Sequence, residues 1–358
     1  MSKFLSQKFK ELEAYVPGEQ PTDKKYIKLN TNESPYPPSP DVVAAASEEA
    51  KKLNLYSDPE LKRLVKLAAL RFSVSEDMVL FTNGSDEILD FAFMAFCDKD
   101  NPIVFPDITY GFYPVFAKLY GIPYKEIPLD DDFNINYRDY LNVHANVVIA
   151  NPNAPTGKIM PLWQIEEILK SNPGNIVIID EAYVDFGAES AVSLIPKYNN
   201  LLVTQTFSKS RSLAGARLGF GIACPAVIDD LKKIKYSTNP YNVNRMTMAA
   251  AVAVLESDAY YMDNCKKIMN TRAKTKSELE ALGFYVLDSS ANFLFAKSDV
   301  IGGAELYLKL KNRGILVRHF EKPRISDFNR ITVGTDEEMK MLISAIKDIL
   351  KEKKDESI

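Results

Sequence analysis

Residues 176–183, IVIIDEAY, and residues 201–209, LLVTQTFSK, decide the fold. Each is a short apolar run that breaks off into polar, chemically capable residues. Neither needs period-two alternation if it is a strand covered on both faces. The same pattern recurs outward from these two, between about residues 79 and 223. VLFT precedes a helical pattern over 86–97, PIVF one near 110–120, and VVIAN one over 161–170, and LGFGIA closes the series. Such alternation predicts an open, largely parallel α/β sheet with helices on both faces, because parallel neighbours need crossover connections.

Beyond residue 240 the character changes. Helical stretches (NRMTMAAAVAVLES, then DAYYMDNCKKIMNTRAKTKSELEALG) lead to strand-like FYVLDS and NFLFAK, a helix GAELYLKLKNRG, strands ILVRHF and RITVGT, and a last helix from Asp336. That order predicts a smaller α+β lobe. The first 40 residues are rich in proline, and SPYPPSP reads as an extended arm that reaches the other lobe or another subunit. The expected organisation is therefore an arm over 1–40, a large domain over 41–245 and a small domain over 246–358.

A chain of 358 residues, 46% hydrophobic and 26% charged, is long enough for two lobes with real cores and is not a disordered chain. The net charge of −4 gives no footprint for nucleic acid. No uncharged run is long enough for a membrane span, and the N-terminal stretch has no apolar signal-peptide core, so a soluble cytoplasmic protein is expected. Cys97, Cys224 and Cys265 are too widely spaced for a disulfide framework or a CxxC site. With only His144 and His319, a histidine metal site or a Ser-His-Asp triad has little to draw on, and no metal is expected.

Three motifs fall at the carboxyl ends of consecutive expected strands: Asn151 to Gly157 (NPNAPTG), Asp180 to Tyr183 (DEAY) and Ser208 to Arg217 (SKSRSLAGAR). Singly, they read as a loop, a helix cap and a solvated lysine. Jointly they point to one pocket, because ligands of open α/β sheets bind outside those strand ends. An Asp180 carboxylate after an apolar run sits in a dry place and needs a partner. A protonated pyridinium nitrogen is such a partner, and the pairing lets pyridoxal 5′-phosphate (PLP) act as an electron sink. Lys209, one strand later, is placed to form an imine with the cofactor aldehyde. Ser208 and Arg217 flank that lysine as phosphate donors. Asn83-Gly84-Ser85 opens a helix whose N–H groups favour an anion. The side chains of Asp86 and Glu87 are ordinary complements to the helix dipole, so phosphate is assigned to the backbone of the Gly84–Asp86 turn and to the Ser85 hydroxyl.

DEAY, TFSKS with GARLGFG, NGSDE, ITYG and RITVG together resemble the fold-type I PLP-dependent aminotransferases, and within them the histidinol-phosphate aminotransferase branch. The resemblance runs nearly end to end and includes YVPGEQP and LNTNESPY. It implies that Lys209 is the Schiff-base lysine and proton shuttle, Asp180 the pyridinium partner, and Tyr183 a donor to the cofactor's 3′ oxygen. It implies further that Tyr110 stacks on the ring and that Ser85, Thr206, Ser208 and Arg217 hold the phosphate, joined by Tyr56 of a second subunit in a homodimer. Arg330 is expected to bind the substrate anion, with Tyr15, Asn32 and Arg318 nearby. The implied reaction is transamination of L-histidinol phosphate with 2-oxoglutarate, giving imidazole acetol phosphate and glutamate.

One position departs from the family pattern. Members commonly have Asn immediately before PTG as a donor to the 3′ oxygen, whereas this chain has Ala154 there and Asn153 one earlier. Either Asn153 reaches the ring or Tyr183 makes the contact alone. A threonine-phosphate decarboxylase or an aromatic amino-acid aminotransferase would use nearly the same core residues. A phosphate-binding α/β protein without PLP would leave the Asp180 and Lys209 pair unexplained, and neither a Walker A motif nor GxGxxG is present.

Overall fold

The computed structural model describes residues 2–10 and 12–355. Its strands are β1 (Ile27–Lys28), β2 (Val79–Thr82), β3 (Ile103–Pro106), β4 (Tyr124–Ile127), β5 (Asn146–Ala150), β6 (Val177–Asp180), β7 (Leu201–Thr206) and β8 (Gly219–Ala223), then β9 (Phe284–Val286), β10 (Phe293–Ser298), β11 (Ile315–Leu316), β12 (Arg318–His319) and β13 (Phe328–Thr332). Seven of them form one sheet in the order β2-β8-β7-β6-β5-β3-β4. The pairs β3–β4, β3–β5, β5–β6 and β6–β7 are parallel, and β8 alone runs antiparallel to its neighbours β2 and β7. The carboxyl ends of β2, β3, β5, β6 and β7 therefore share one edge, and β8 begins there.

Successive side chains in a strand point to opposite faces, and both faces of this sheet are covered. Val147 and Ile149 join one apolar cluster, with residues of the helices Lys62–Phe72, Leu162–Ser171 and Arg245–Glu256. Val148 and Ala150 join the other, with residues of Gly84–Phe96, Tyr113–Tyr120 and Pro225–Thr238. Each fully buried Val, Ile, Leu or Phe contributes about 1.5–3 kcal/mol, so this double cover holds the strand ends rigid.

The second sheet is antiparallel, β12-β13-β10-β9, and packs against Asp258–Ala281, Gly303–Asn312 and Asp336–Asp355. The run ILVRHF splits: Ile315–Leu316 pairs in parallel with β1, and Arg318–His319 pairs with β13. The arm is thus partly packed, with Leu29 only 1% exposed. The expected division at 245/246 falls at the start of Arg245–Glu256, whose Ala250–Val254 stretch lies in the core of the large sheet, so the junction follows that helix. β4 went unread because Lys125 and Glu126 interrupt its apolar pattern, a charge device suited to the edge position it holds.

Candidate active site

β6 delivers Asp180 to the shared edge with 4% of its surface exposed. The Tyr113 hydroxyl donates to its Oδ2 at 2.8 Å, and the Thr204 hydroxyl, on the register partner in β7, lies 3.3 Å from Oδ1. Burial nevertheless pushes its pKa up to about 6, with Asp86 adding to the rise. The neighbouring Glu181 turns to a separate network made of the Ala191 N–H, the Ser190 hydroxyl and the Gln205 amide.

Lys209 follows β7, and its Nζ lies 3.2 Å from the Thr31 carbonyl oxygen and 5.8 Å from the centre of the Tyr183 ring. The Tyr183 hydroxyl accepts from Asn32 Nδ2 at 2.9 Å, which leaves its own hydrogen free to donate elsewhere. Asn32 is held in turn: it adopts a left-handed φ of 57°, its N–H donates to Thr332 Oγ1 at 3.0 Å, and its carbonyl accepts from Asn292 Nδ2 at 2.9 Å. The arm is therefore tied to both sheets at this point.

A cup for an anion lies beside the lysine. Gly84, with φ of 78°, opens the helix Gly84–Phe96, and a Cβ there would stand 2.6 Å from Arg217 Nη2. Gly219 is equally constrained, since a Cβ on it would meet the Ser85 nitrogen at 2.3 Å. Arg217, itself at φ of 54°, reaches Asp86 Oδ2 at 3.0 Å and Ser208 Oγ at 3.5 Å. Thr206 Oγ1 accepts the Ser208 N–H at 3.1 Å and lies 3.0 Å from Ser208 Oγ. Hydroxyls, a guanidinium and a helix N-terminus thus converge where two glycines let the helix start and Arg217 approach closely, a donor set that fits a phosphate. Asp86 also accepts from the Tyr110 hydroxyl at 2.7 Å, fixing that ring above the edge of Tyr113.

Arg330 lies on the opposite wall, its guanidinium 5.4 Å from the Phe293 ring centre and 5.8 Å from that of Phe320. Nη2 donates to the Asn30 carbonyl at 3.0 Å, while Nε is buried with no hydrogen-bond partner among the described residues. Desolvation lowers its pKa, and Tyr15 and Tyr183 are close enough to act on its charge. Arg318 pairs with Arg330 across β12 and β13, but its guanidinium donates to the Val16 and Pro17 carbonyls at 3.2 Å each. It clamps the arm that carries Tyr15, whose ring packs on Phe112 and Tyr110.

Two expected contributors lie apart. Asn153 is fully buried, and its amide donates to the Ile108 carbonyl at 2.9 Å and to Thr156 Oγ1 at 3.1 Å, while its oxygen accepts from Thr109. Both amide hydrogens are used in bracing the loop, so Asn153 has none for a cofactor oxygen. Tyr56 is 79% exposed and stacks on Tyr241 at 4.6 Å, on the surface of its own chain. Among the described residues no group of His, Cys, Asp or Glu is placed to hold a metal, and no helix is long and apolar enough to cross a membrane.

The family model for aminotransferase class I and II matches residues 24–346. The chain belongs to this aminotransferase family. A histidinol-phosphate aminotransferase of Brachyspira hyodysenteriae is 52% identical over 353 residues, covering 98% of this chain and 100% of that protein. Histidinol-phosphate aminotransferase 2 of Dechloromonas aromatica is 51% identical, covering 98% and 99%. The crystal structure of histidinol-phosphate aminotransferase from Sinorhizobium meliloti in complex with pyridoxal-5′-phosphate superposes with a TM-score of 0.85 over 92% of each chain, at 24% identity, a likeness of fold.

Several residues of the candidate site went unread in the sequence. Thr204 had a faint signal, a hydroxyl directly after the apolar run Leu201–Val203. Tyr113, Thr31, Asn292 and Thr332 had none, since only the packing of distant segments gives them their partners.

Proposed function

We propose that this aminotransferase holds PLP on Lys209 and transfers the amino group of L-histidinol phosphate to 2-oxoglutarate, giving imidazole acetol phosphate and glutamate. The observation that carries the substrate assignment is Arg330, a cation held against two aromatic rings whose buried Nε has no partner among the described residues. It suits a ligand anion, and both a phosphate and a carboxylate fit a planar guanidinium. The names of the relatives at about half identity support the same amine donor.

When bound, the cofactor supplies the electron sink for the charge left at the substrate Cα. Asp180, as carboxylate, keeps the ring nitrogen protonated. With the cofactor bound, Lys209 Nζ would be the base that takes the proton from the substrate Cα and moves it on. Tyr183 donates to the 3′ oxygen, the contact that Ala154 cannot make and Asn153 has no hydrogen to make. Gly84, Ser85, the main chain of Asp86, Thr206, Ser208 and Arg217 hold the phosphate, with Tyr110 against the ring. Arg330, Tyr15 and Asn32 receive the substrate, and Arg318 keeps the arm closed behind it. The enzyme acts in the cytoplasm as a homodimer in which Tyr56 of the partner subunit completes the phosphate cup.

Purified protein loaded with PLP should lose the absorbance of its lysine-bound cofactor on mixing with histidinol phosphate and regain it with 2-oxoglutarate. O-phosphothreonine and phenylalanine should react far more slowly. Ready reaction with phenylalanine and none with histidinol phosphate would replace this donor with an aromatic amino acid. Release of carbon dioxide from phosphothreonine would make the enzyme a decarboxylase.

A further inference from the structure

Tyr113 is fully buried at the start of the helix Tyr113–Tyr120. Its ring is wedged 5.8 Å from Phe105 and edge-on to Tyr110 at 5.6 Å and 83°. For that packing alone phenylalanine would do, and a phenol hydroxyl taken out of water needs a partner. The partner is Asp180 Oδ2 at 2.8 Å. Burial and the adjacent carboxylate push the phenol's pKa well above its ordinary value, so the hydroxyl stays a donor. Thr204 approaches the other carboxylate oxygen at 3.3 Å, and the Ala182 N–H is near enough to favour the charged form. Against these donors stand desolvation and the negative charge of Asp86 from the helix Gly84–Phe96, while the neighbouring Tyr110 phenol, its pKa raised by burial, stays neutral. Glu181 points its carboxylate into its own network.

We infer that Tyr113 is a positioning residue that keeps Asp180 an aimed carboxylate, so that the Tyr113–Asp180 pair, rather than the aspartate alone, sets how cofactor binding withstands falling pH. The segment ITYGFY then serves the cofactor twice, with Tyr110 toward its ring face and Tyr113 behind the carboxylate that meets its nitrogen. This rests on the reading of Asp180 as the partner of the ring nitrogen. Hydrogen bonds to the charged form lower a carboxyl pKa, so their removal makes Asp180 take up its proton at higher pH.

The test measures PLP affinity of the cofactor-free protein by equilibrium dialysis from pH 5 to 8, for wild type, Tyr113→Phe and Thr204→Val. In wild type, affinity should fall below about pH 6, where Asp180 protonates. In Tyr113→Phe the fall should begin about one pH unit higher. Thr204→Val should move it the same way by less, as its longer contact implies. The cofactor's own titrations are common to all three proteins and cancel in the comparison. A Tyr113→Phe protein with unshifted pH dependence, or with a loss of affinity equal at every pH, overturns the inference. Should that variant not fold, an unshifted Thr204→Val profile does so. A wild type that does not bind PLP at all overturns the reading of Asp180, and this inference with it, whereas tight wild-type binding with an unshifted variant removes this inference alone.

Discussion

Arg330 has a buried Nε with no hydrogen-bond partner among the described residues, so its removal takes away a donor that a ligand anion can use. If the donor is a phosphate ester and the acceptor a dicarboxylate, Arg330→Ala should weaken both half-reactions together, each by on the order of 2–5 kcal/mol. Arg330→Lys should recover part of this, because a point charge replaces a planar fork. Single-turnover mixing with histidinol phosphate, and then with 2-oxoglutarate, separates the halves; a loss confined to the keto acid would send the phosphate elsewhere. Glu181 makes a second prediction at this scale. It is buried among its donors, yet burial pushes its pKa up to about 7 from the ordinary 4.5. Folding therefore takes up a proton between about pH 4.5 and 7, so the contribution to stability is present below that window and is lost as pH rises through it. Denaturation of cofactor-free wild type and Glu181→Gln at pH 5 and 7.5 should show the wild type losing roughly 2–3 kcal/mol relative to the variant. An unchanged difference between the two would mean that Glu181 is ionised throughout.

Among elements, the contact that matters most is between the strand β8 and the helix Gly84–Phe96. Gly219 lets the first helical turn lie directly on the strand, with Gly84 and Ser85 backbone atoms inside 3 Å of where a Cβ would stand. Backbone cannot swing aside as a side-chain end can. Gly219→Ala should therefore cost about 1–3 kcal/mol and displace the phosphate-facing N–H groups. Gly174→Ala, where nothing lies within 4 Å of the added carbon, is the control. A lower melting temperature together with weaker PLP binding in Gly219→Ala, and neither in Gly174→Ala, is the expected result. Equal behaviour of the two variants would show that the helix start adapts. Elements of this kind were unevenly legible in sequence: β2, β3 and β5 to β8 announced themselves through short apolar runs, whereas β1 is two residues long and pairs only with β11.

At the scale of the whole molecule, the Tyr56 ring lies 79% exposed on its own chain. It stacks on Tyr241 in a surface region where Leu53, Leu55 and Tyr236 are also exposed. Apolar exposure of this kind suits a subunit contact, and the proposed homodimer would place its interface here. Inactive Lys209→Ala and inactive Tyr56→Ala proteins, mixed under conditions of subunit exchange, should regain part of the activity through hybrid dimers with one intact site. No recovery despite demonstrated exchange would return Tyr56 to its own subunit or remove it from the site.

The sequence by itself determined the double-wound α/β architecture, the placing of Asp180 and Lys209 at neighbouring strand ends, and the phosphate-favouring turn at Gly84. These are local facts, written in runs of a few residues: apolar strands covered on both faces, and the break where each meets solvent. Tertiary structure alone decided the reversed direction of β8, the partner of the Asp180 carboxylate, and the engagement of Asn153 and Arg318 with loop and arm rather than with an open pocket. Tyr113 and Asp180 are 67 positions apart, and Asn32 and Thr332 are 300 apart. A side chain's hydrogen-bond partner at such separations is fixed by which strands become neighbours and by what is buried between them, and no pattern within one segment encodes it.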